Sequence, residues 1–338
     1  MRLSVLDQSP VRSGATPADA IRESVELARL CDRLGYERYW LAEHHSSGGL
    51  AGAAPEIMIG HIAQATKDIR VGSGGVMLNH YSALKVAETF RMLETLHPGR
   101  IDLGLGRAPG SDQHTMQALR AGPGSASIDY YPRQVLDVIG FMGNELEEDH
   151  PWRNIVAQPA GPTTPEVWLL GSSMDSASYA AHFGLPFSFA HFITPRGGDM
   201  VAEAYRSRYR PSERYPEPSI NVGVFALAAD TADEADYLIK SRNLWLIRLM
   251  KGELGPFPTP EEAEAYDYGP HDLQMLEANR GRSIAGTPDN VARQLRELAT
   301  SYQTDQLTLV TISHDFEARK RSYELLAQEF DLQERTAA

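Results

Sequence analysis

The chain has 338 residues, 42% of them hydrophobic and 23% charged, which is enough to bury a substantial core. Its 32 basic and 45 acidic side chains leave a formal charge of −13, which argues against nucleic acid or an anionic membrane as the main partner but allows a local basic site. The lone cysteine, Cys31, excludes an intramolecular disulfide and a cysteine-held metal cluster.

The opening MRLSVLDQSP lacks the apolar length of a signal peptide, and no apolar run approaches the roughly 18 residues of a membrane helix. The expectation is a soluble cytoplasmic protein. LSVLD (3–7) reads as a strand. A helix follows, opening at Thr16-Pro17 with Asp19 in its first turn, and Ile21, Val25, Leu27, Ala28, Leu30 and Leu34 give it an apolar face that Gly35 stops. RYWLA (38–42) precedes a helix beginning at Pro55. IRVGSGGVML (69–78) precedes a helix running to His97, ended by Pro98-Gly99. RIDLGLG (100–106) precedes a long glycine-rich connection and a helix after Pro132.

The second half repeats the scheme. EVWLLG (166–171) leads into a helix ending at Gly184, PFSFAHFI (186–193) into one from about Asp199, and INVGVFALA (220–228) into one that follows Asp230-Thr231. DQLTLVTI (305–312) leads into a last helix from about Phe316, and an extra helix capped by Thr287 and Pro288 sits before that strand. Eight strand-then-helix units predict a (β/α)8 TIM barrel formed as a single domain over 1–338. Strands apolar on both faces suit a buried parallel sheet. A doubly wound open sheet is the alternative, because connectivity is not visible in a sequence. The long irregular segment 250–283 reads as an inserted loop or lid over the barrel mouth.

The chemistry gathers at strand ends. GRIDLGLGRAPGSD (99–112) carries Gly104, Gly106 and Gly110 after a strand, as a dinucleotide loop would. Yet three strand-helix units precede it, the last glycine is one residue too far, and no β-branched run follows. At the carboxyl end of a fourth barrel strand, Gly106 gives room for something flat and Arg107 points a cation into the mouth. The plainer alternative is a pair of packing glycines and a surface salt bridge. In WLLGSSMDSASYAAHFG (168–184) a strand runs through Gly171, Ser172 and Ser173 directly into a helix, whose free amides make an anion site. The alternative is that Ser172 or Ser173 simply caps the helix.

WLAEHHSSGG places Glu43, His44 and His45 at the end of the second strand. On extended backbone Glu43 and His45 point together and His44 points elsewhere, which suits a three-ligand metal site poorly. No HExxH or comparable pattern occurs, so no metal is expected, and one of the two histidines is assigned as a general base. His80, His191 and His314, also near strand ends, are assigned to shaping the pocket.

With LAEHH, RVGSGGVML and RIDLGLGRAPG in order at three successive strand ends, the chain resembles the bacterial luciferase-like flavin monooxygenases. It looks most like a branch that opens with LSVLDQSP and carries GSGGVMLxHYSxLKVAExF, and the similarity runs nearly end to end, including IAGTPDNV. The resemblance implies a (β/α)8 barrel binding reduced FMN as cosubstrate at its carboxyl-terminal mouth. It also implies O2 activation at flavin C4a, transfer of one oxygen atom to a small organic substrate, a separate flavin reductase and a homodimer. His44 matches the family histidine proposed as base or proton donor. Gly74-Gly75 matches the small pair under the isoalloxazine ring, where the family often has a non-prolyl cis peptide. Gly106 matches a position beside the reactive face, Arg107 a phosphate ligand, and Gly171, Ser172 and Ser173 the phosphate loop after strand five. Asn79 departs from the proline usual after VML and is expected to add a polar contact near the flavin edge. Two other readings stand beside this one: a deazaflavin-dependent hydride-transfer enzyme and a non-catalytic flavin-binding protein.

Overall fold

Parallel pairing closes the strand runs into a ring. The computed structural model describes residues 1–107, 112–119 and 128–335, so Gly110 lies outside the described residues. Its strands are β1 (Arg2–Asp7), β2 (Arg38–Leu41), β3 (Arg70–Ser73), β4 (Val76–Met77), β5 (Ile101–Gly106), β6 (Glu166–Gly171), β7 (Phe187–Ala190), β8 (Ile220–Ala228), β9 (Ser283–Gly286) and β10 (Gln306–Val310). They follow the order β10-β1-β2-β3-β5-β6-β7-β8, and β8 pairs back onto β10 from Leu307↔Val222 to Val310↔Phe225. That last pairing closes the barrel and removes the doubly wound alternative.

Helices form where the capping signals stand. Thr16 and Asp19 make a reciprocal capping box at the start of Pro17–Arg33, and Gly35 takes the left-handed conformation (φ +87°) that ends this helix. The helices Pro55–Ala65, Ala83–Leu96, Tyr131–Gly143, Met174–Phe183, Gly198–Arg208, Ala232–Met250, Pro288–Ser301 and Phe316–Glu329 occupy the foreseen places. Among the described residues no helix is long and apolar enough to cross a membrane.

Two expectations are corrected. The run 69–78 is two strands, because the chain breaks at Gly74–Gly75, a cis peptide; β3 pairs with β2 and β5, and β4 pairs only with β5. Segment 250–283 is not an irregular loop. It folds into the helices Pro260–Ala265 and Pro270–Asn279, a single turn at Arg280–Arg282, and β9 alongside β8. Local caps explain this: Thr259 Oγ1 accepts from the Glu262 amide (3.0 Å), and the Asp272 carboxylate accepts from the Gly269 amide (3.2 Å). The segment is stitched to the loop after β1, the Phe257 amide donating to Val11 O (2.7 Å) and the Ser13 amide to Phe257 O (2.8 Å).

The barrel interior is layered. At its amino-terminal end the buried Asp102 accepts from Arg38 (2.7 Å), Arg70 (2.6 Å) and Trp40 Nε1 (2.8 Å), a charged plug in which each buried ion has a partner. Above it Trp40 and Trp168 pack edge to face, 5.4 Å between centroids. Leu6, Ala42, Phe225, Val310 and Ile312 complete the apolar cluster nearer the carboxyl-terminal mouth. Chemistry at that mouth therefore stands on a packed aromatic floor.

Candidate active site at the carboxyl-terminal mouth

The residues after β2 alternate as extended backbone requires. Glu43 is buried and saturated: its Oε1 accepts from Tyr81 Oη (2.7 Å) and meets His45 Nε2 (2.7 Å), while its Oε2 accepts from the Met77 amide (2.9 Å). One carboxylate thus ties together the ends of β2 and β4 and the 3-10 turn Leu78–His80 with Tyr81. Burial and Glu43 hold the Tyr81 phenol far above its ordinary range, so it stays a donor.

His44 points the other way. Its backbone amide donates to Gly52 O (2.8 Å), and its ring Nδ1 is buried with no hydrogen-bond partner. Burial, with the neighbouring His45 charge, pushes its pKa down to about 4. At neutral pH this imidazole is uncharged, with one ring nitrogen free to accept, though it is a weaker base than a solvated histidine.

His44 faces a cavity of about 520 Å³. Its floor comes from strand ends, including Leu6, Ala42, Gly74 and Met77, and one wall comes from Trp245, Leu246 and Leu249 of the helix Ala232–Met250, joined by Leu254. At Gly74 a Cβ would stand 2.5 Å from Leu6 Cδ1 and 3.0 Å from Trp40 Cβ; at Gly75 one would stand 2.7 Å from Gly104 O. Only glycine fits either place without displacing neighbours.

The other foreseen residues collect on the β5–β6 side. At Gly106 a Cβ would meet Met77 Cε at 3.0 Å, so β5 passes close beneath the β4 side chain. Arg107, which follows β5 directly, is part-exposed, its guanidinium 3.5 Å from Asp175 at the start of the helix Met174–Phe183. Ser173 caps that helix, its Oγ accepting from the Ser176 amide (3.3 Å), and Gly171 is packed against Ser176, where a Cβ would lie 2.3 Å from the hydroxyl. Ser172 lies between them, half-buried. Arg107, Gly171, Ser172 and Ser173 therefore share one edge, with a helix amino terminus and a guanidinium side by side. Asn79 is buried, and its Nδ2 donates to Arg107 O (2.8 Å), linking the turn after β4 to the main chain of that edge.

His191 and His314 are committed to the frame: His191 Nδ1 meets Tyr302 Oη and His314 Nε2 meets Ser13 O, each at 3.0 Å. Sequence reasoning missed Arg242, Arg282 and Trp245, which line the cavity from the excursion between β8 and β10. The one available signal was Arg242 beside the apolar run NLWLIRLM, where a cation has little open surface to occupy.

A family model for luciferase-like monooxygenases matches residues 1–305. The chain is 46% identical over 330 residues to the uncharacterized protein YceB of Bacillus subtilis (strain 168), covering 98% of this chain and 99% of that one. It is 39% identical over 325 residues to a luciferase-like monooxygenase of Escherichia coli (strain K12), with 95% of each covered. It is 35% identical over 327 residues to an N-acetyl-S-alkylcysteine monooxygenase of Bacillus subtilis (strain 168), with 97% of each covered. Among solved structures, apo-MsnO8 superposes with a TM-score of 0.91 at 40% identity over 99% of each chain. The fold is shared with the oxygenating constituent of 3,6-diketocamphane monooxygenase from Pseudomonas putida in complex with FMN (TM-score 0.70, 20% identity, 97% of each chain). It is also shared with an F420-dependent secondary alcohol dehydrogenase (TM-score 0.67, 12% identity, 98% of this chain and 99% of that one).

Proposed function

This chain belongs to the luciferase-like monooxygenase family, and from that premise we propose that it is a reduced-FMN-dependent monooxygenase of a small organic substrate, supplied with flavin by a separate reductase. The observation that carries the reading is His44, an uncharged imidazole with a buried, unpartnered Nδ1, whose residue lines a largely apolar cavity together with Gly74. Reduced FMN bound there supplies two electrons, so that one atom of O2 enters the substrate and the other leaves as water.

The chain's own residues do the rest. Gly74 and Gly75 seat the ring, because a side chain at either would push into the barrel floor or the β5 backbone and displace the surface on which the ring lies. Arg107, with Gly171, Ser172 and Ser173 at the helix amino terminus, holds the phosphate. Asn79 fixes the Arg107 main chain, and Gly106 keeps that edge thin. The His44 imidazole takes a proton during oxygen transfer, and the wall of Trp245, Leu246 and Leu249 keeps water away from the reacting atoms. The exposed Ile57, Met92 and Leu96 on the neighbouring helices Pro55–Ala65 and Ala83–Leu96 support a second copy of the chain as partner. The single buried cysteine suits the reducing cytoplasm.

The test is O2 uptake and product formation with reduced FMN over a panel of thioethers, ketones and aldehydes, with wild-type protein and His44→Ala. Oxygenated product from the wild type and a loss of about 100-fold or more in His44→Ala supports the reading; unchanged turnover in the variant removes His44 from the chemistry. Relatives named as monooxygenases favour FMN over deazaflavin. Micromolar affinity for the deazaflavin with none for reduced FMN overturns that preference, and flavin binding with no turnover leaves a flavin-binding protein.

A further inference from the structure

The cavity holds two cations that oxygen chemistry does not require. Arg242, on the helix Ala232–Met250, is only 8% exposed, its guanidinium 4.5 Å from the centroid of the Phe225 ring. Arg282, just before β9, also lines the cavity, and its Nε is buried without a partner. Among the described residues neither forms an ion pair, whereas Arg248 on the same helix reaches Glu262 (3.4 Å) and Arg12 grips Glu23.

The carboxylates of the lining are committed elsewhere. Glu43 is filled by Met77, Tyr81 and His45, and Asp112 accepts from the His114 amide (2.8 Å) and from Thr115 Oγ1 (2.7 Å). Burial, and then the neighbouring Arg282 charge, pulls the Arg242 pKa down to about 10, and among the described residues no carboxylate pairs with either cation. A fold keeps two like charges beside apolar surface when a ligand neutralises them on arrival. The proposed phosphate seat lies elsewhere, at Arg107 and the helix start at Ser173 beside β5 and β6.

We propose that Arg242 and Arg282 form the recognition site for a carboxylate-type anionic group on the substrate, whose apolar body lies against Trp245, Leu246 and Leu249. The assignment rests on the oxygenase reading of this cavity. Guanidinium forks match a carboxylate's two oxygens, and an apolar surround strengthens each charge-assisted bond. A neutral analogue would leave both cations unpaired, so the pair selects as well as binds.

Calorimetric titration of the full-length protein with octanoate and octanamide, equal in length and differing in charge, tests this. Octanoate is expected to bind the wild type roughly tenfold or more tightly than octanamide. Arg242→Gln is expected to lose about 30-fold in octanoate affinity, Arg282→Gln about tenfold, and Arg242→Lys less than Arg242→Gln, with octanamide binding unchanged in all three. Arg282→Gln, at a half-buried position, carries the test if Arg242→Gln does not fold. Equal binding of the two probes, or no octanoate binding, overturns the proposal. Variants that lose FMN but not riboflavin affinity also overturn it, because the arginines would then hold the flavin phosphate. The parent reading fails separately: no oxygenated product with reduced FMN and O2 removes the oxygenase while leaving octanoate discrimination measurable.

Discussion

Protonation of His44 should cost the fold stability in a definite pH window. The unfolded imidazole takes a proton near its ordinary pKa of 6.5, whereas in the folded chain burial delays this to about pH 4. Between those values the unfolded state binds more protons, so stability is complete above pH 6.5 and falls as pH drops toward 4. The full shift, about 2.5 pH units at 1.36 kcal/mol each, is worth roughly 3 kcal/mol, of which about 2 kcal/mol is already lost at pH 5. Urea unfolding of wild type and His44→Gln at pH 7, 6, 5 and 4.5 isolates the effect, because other groups titrate alike in both proteins. The wild type should lose about 2 kcal/mol more than the variant between pH 7 and pH 5. Parallel losses, within about 0.5 kcal/mol, would show that His44 is not held neutral by its surroundings.

Three further outcomes follow from the geometry. Arg107→Ala should weaken FMN at least about tenfold more than riboflavin, since only FMN carries the phosphate, and fluorescence titration of both flavins checks it. Gly74→Ala places a methyl 2.5 Å from Leu6 Cδ1 and should cost about 1–3 kcal/mol in a denaturant melt. The same variant should abolish flavin binding at micromolar protein, and retained binding would move the ring elsewhere. Glu43→Gln removes one of the acceptor oxygens that serve Tyr81, His45 and the Met77 amide. It should cost about 1–3 kcal/mol of stability, checked by urea midpoint at pH 7.

The barrel was legible because its strands are short apolar runs punctuated by proline and glycine, and RYWL and INVGVFALA are buried along their whole length. Alternation along EHH correctly separated Glu43 and His45 from His44. The split of 69–78 was hidden because Gly74 and Gly75 sit inside a run whose composition continues as strand on both sides. Strand β9 was hidden by its brevity and its small residues, Ser283, Ala285 and Gly286, which pair because β8 offers a free edge. In 250–283 the caps Thr259-Pro260 and Gly269-Pro270 were readable, but helices of six and ten residues generate too little periodicity to stand out. Arg242 and Arg282 are 40 residues apart in the chain. Only the return of the backbone from β8 to β9 brings them to one cavity, and no spacing rule anticipates that.

The residues proposed to serve flavin and substrate come from different stretches of the chain. The proposed ring seat and phosphate edge are carried on β3 through β6 and the helix start after it, while Arg242, Trp245 and Arg282 all hang from the excursion between β8 and β10. On the proposed reading, changes in that excursion would alter the guest while leaving the flavin-binding residues in place. For an engineer, residues 232–282 are the natural cassette to transplant between paralogues, with Phe257's two backbone bonds to the loop after β1 as the suture to preserve.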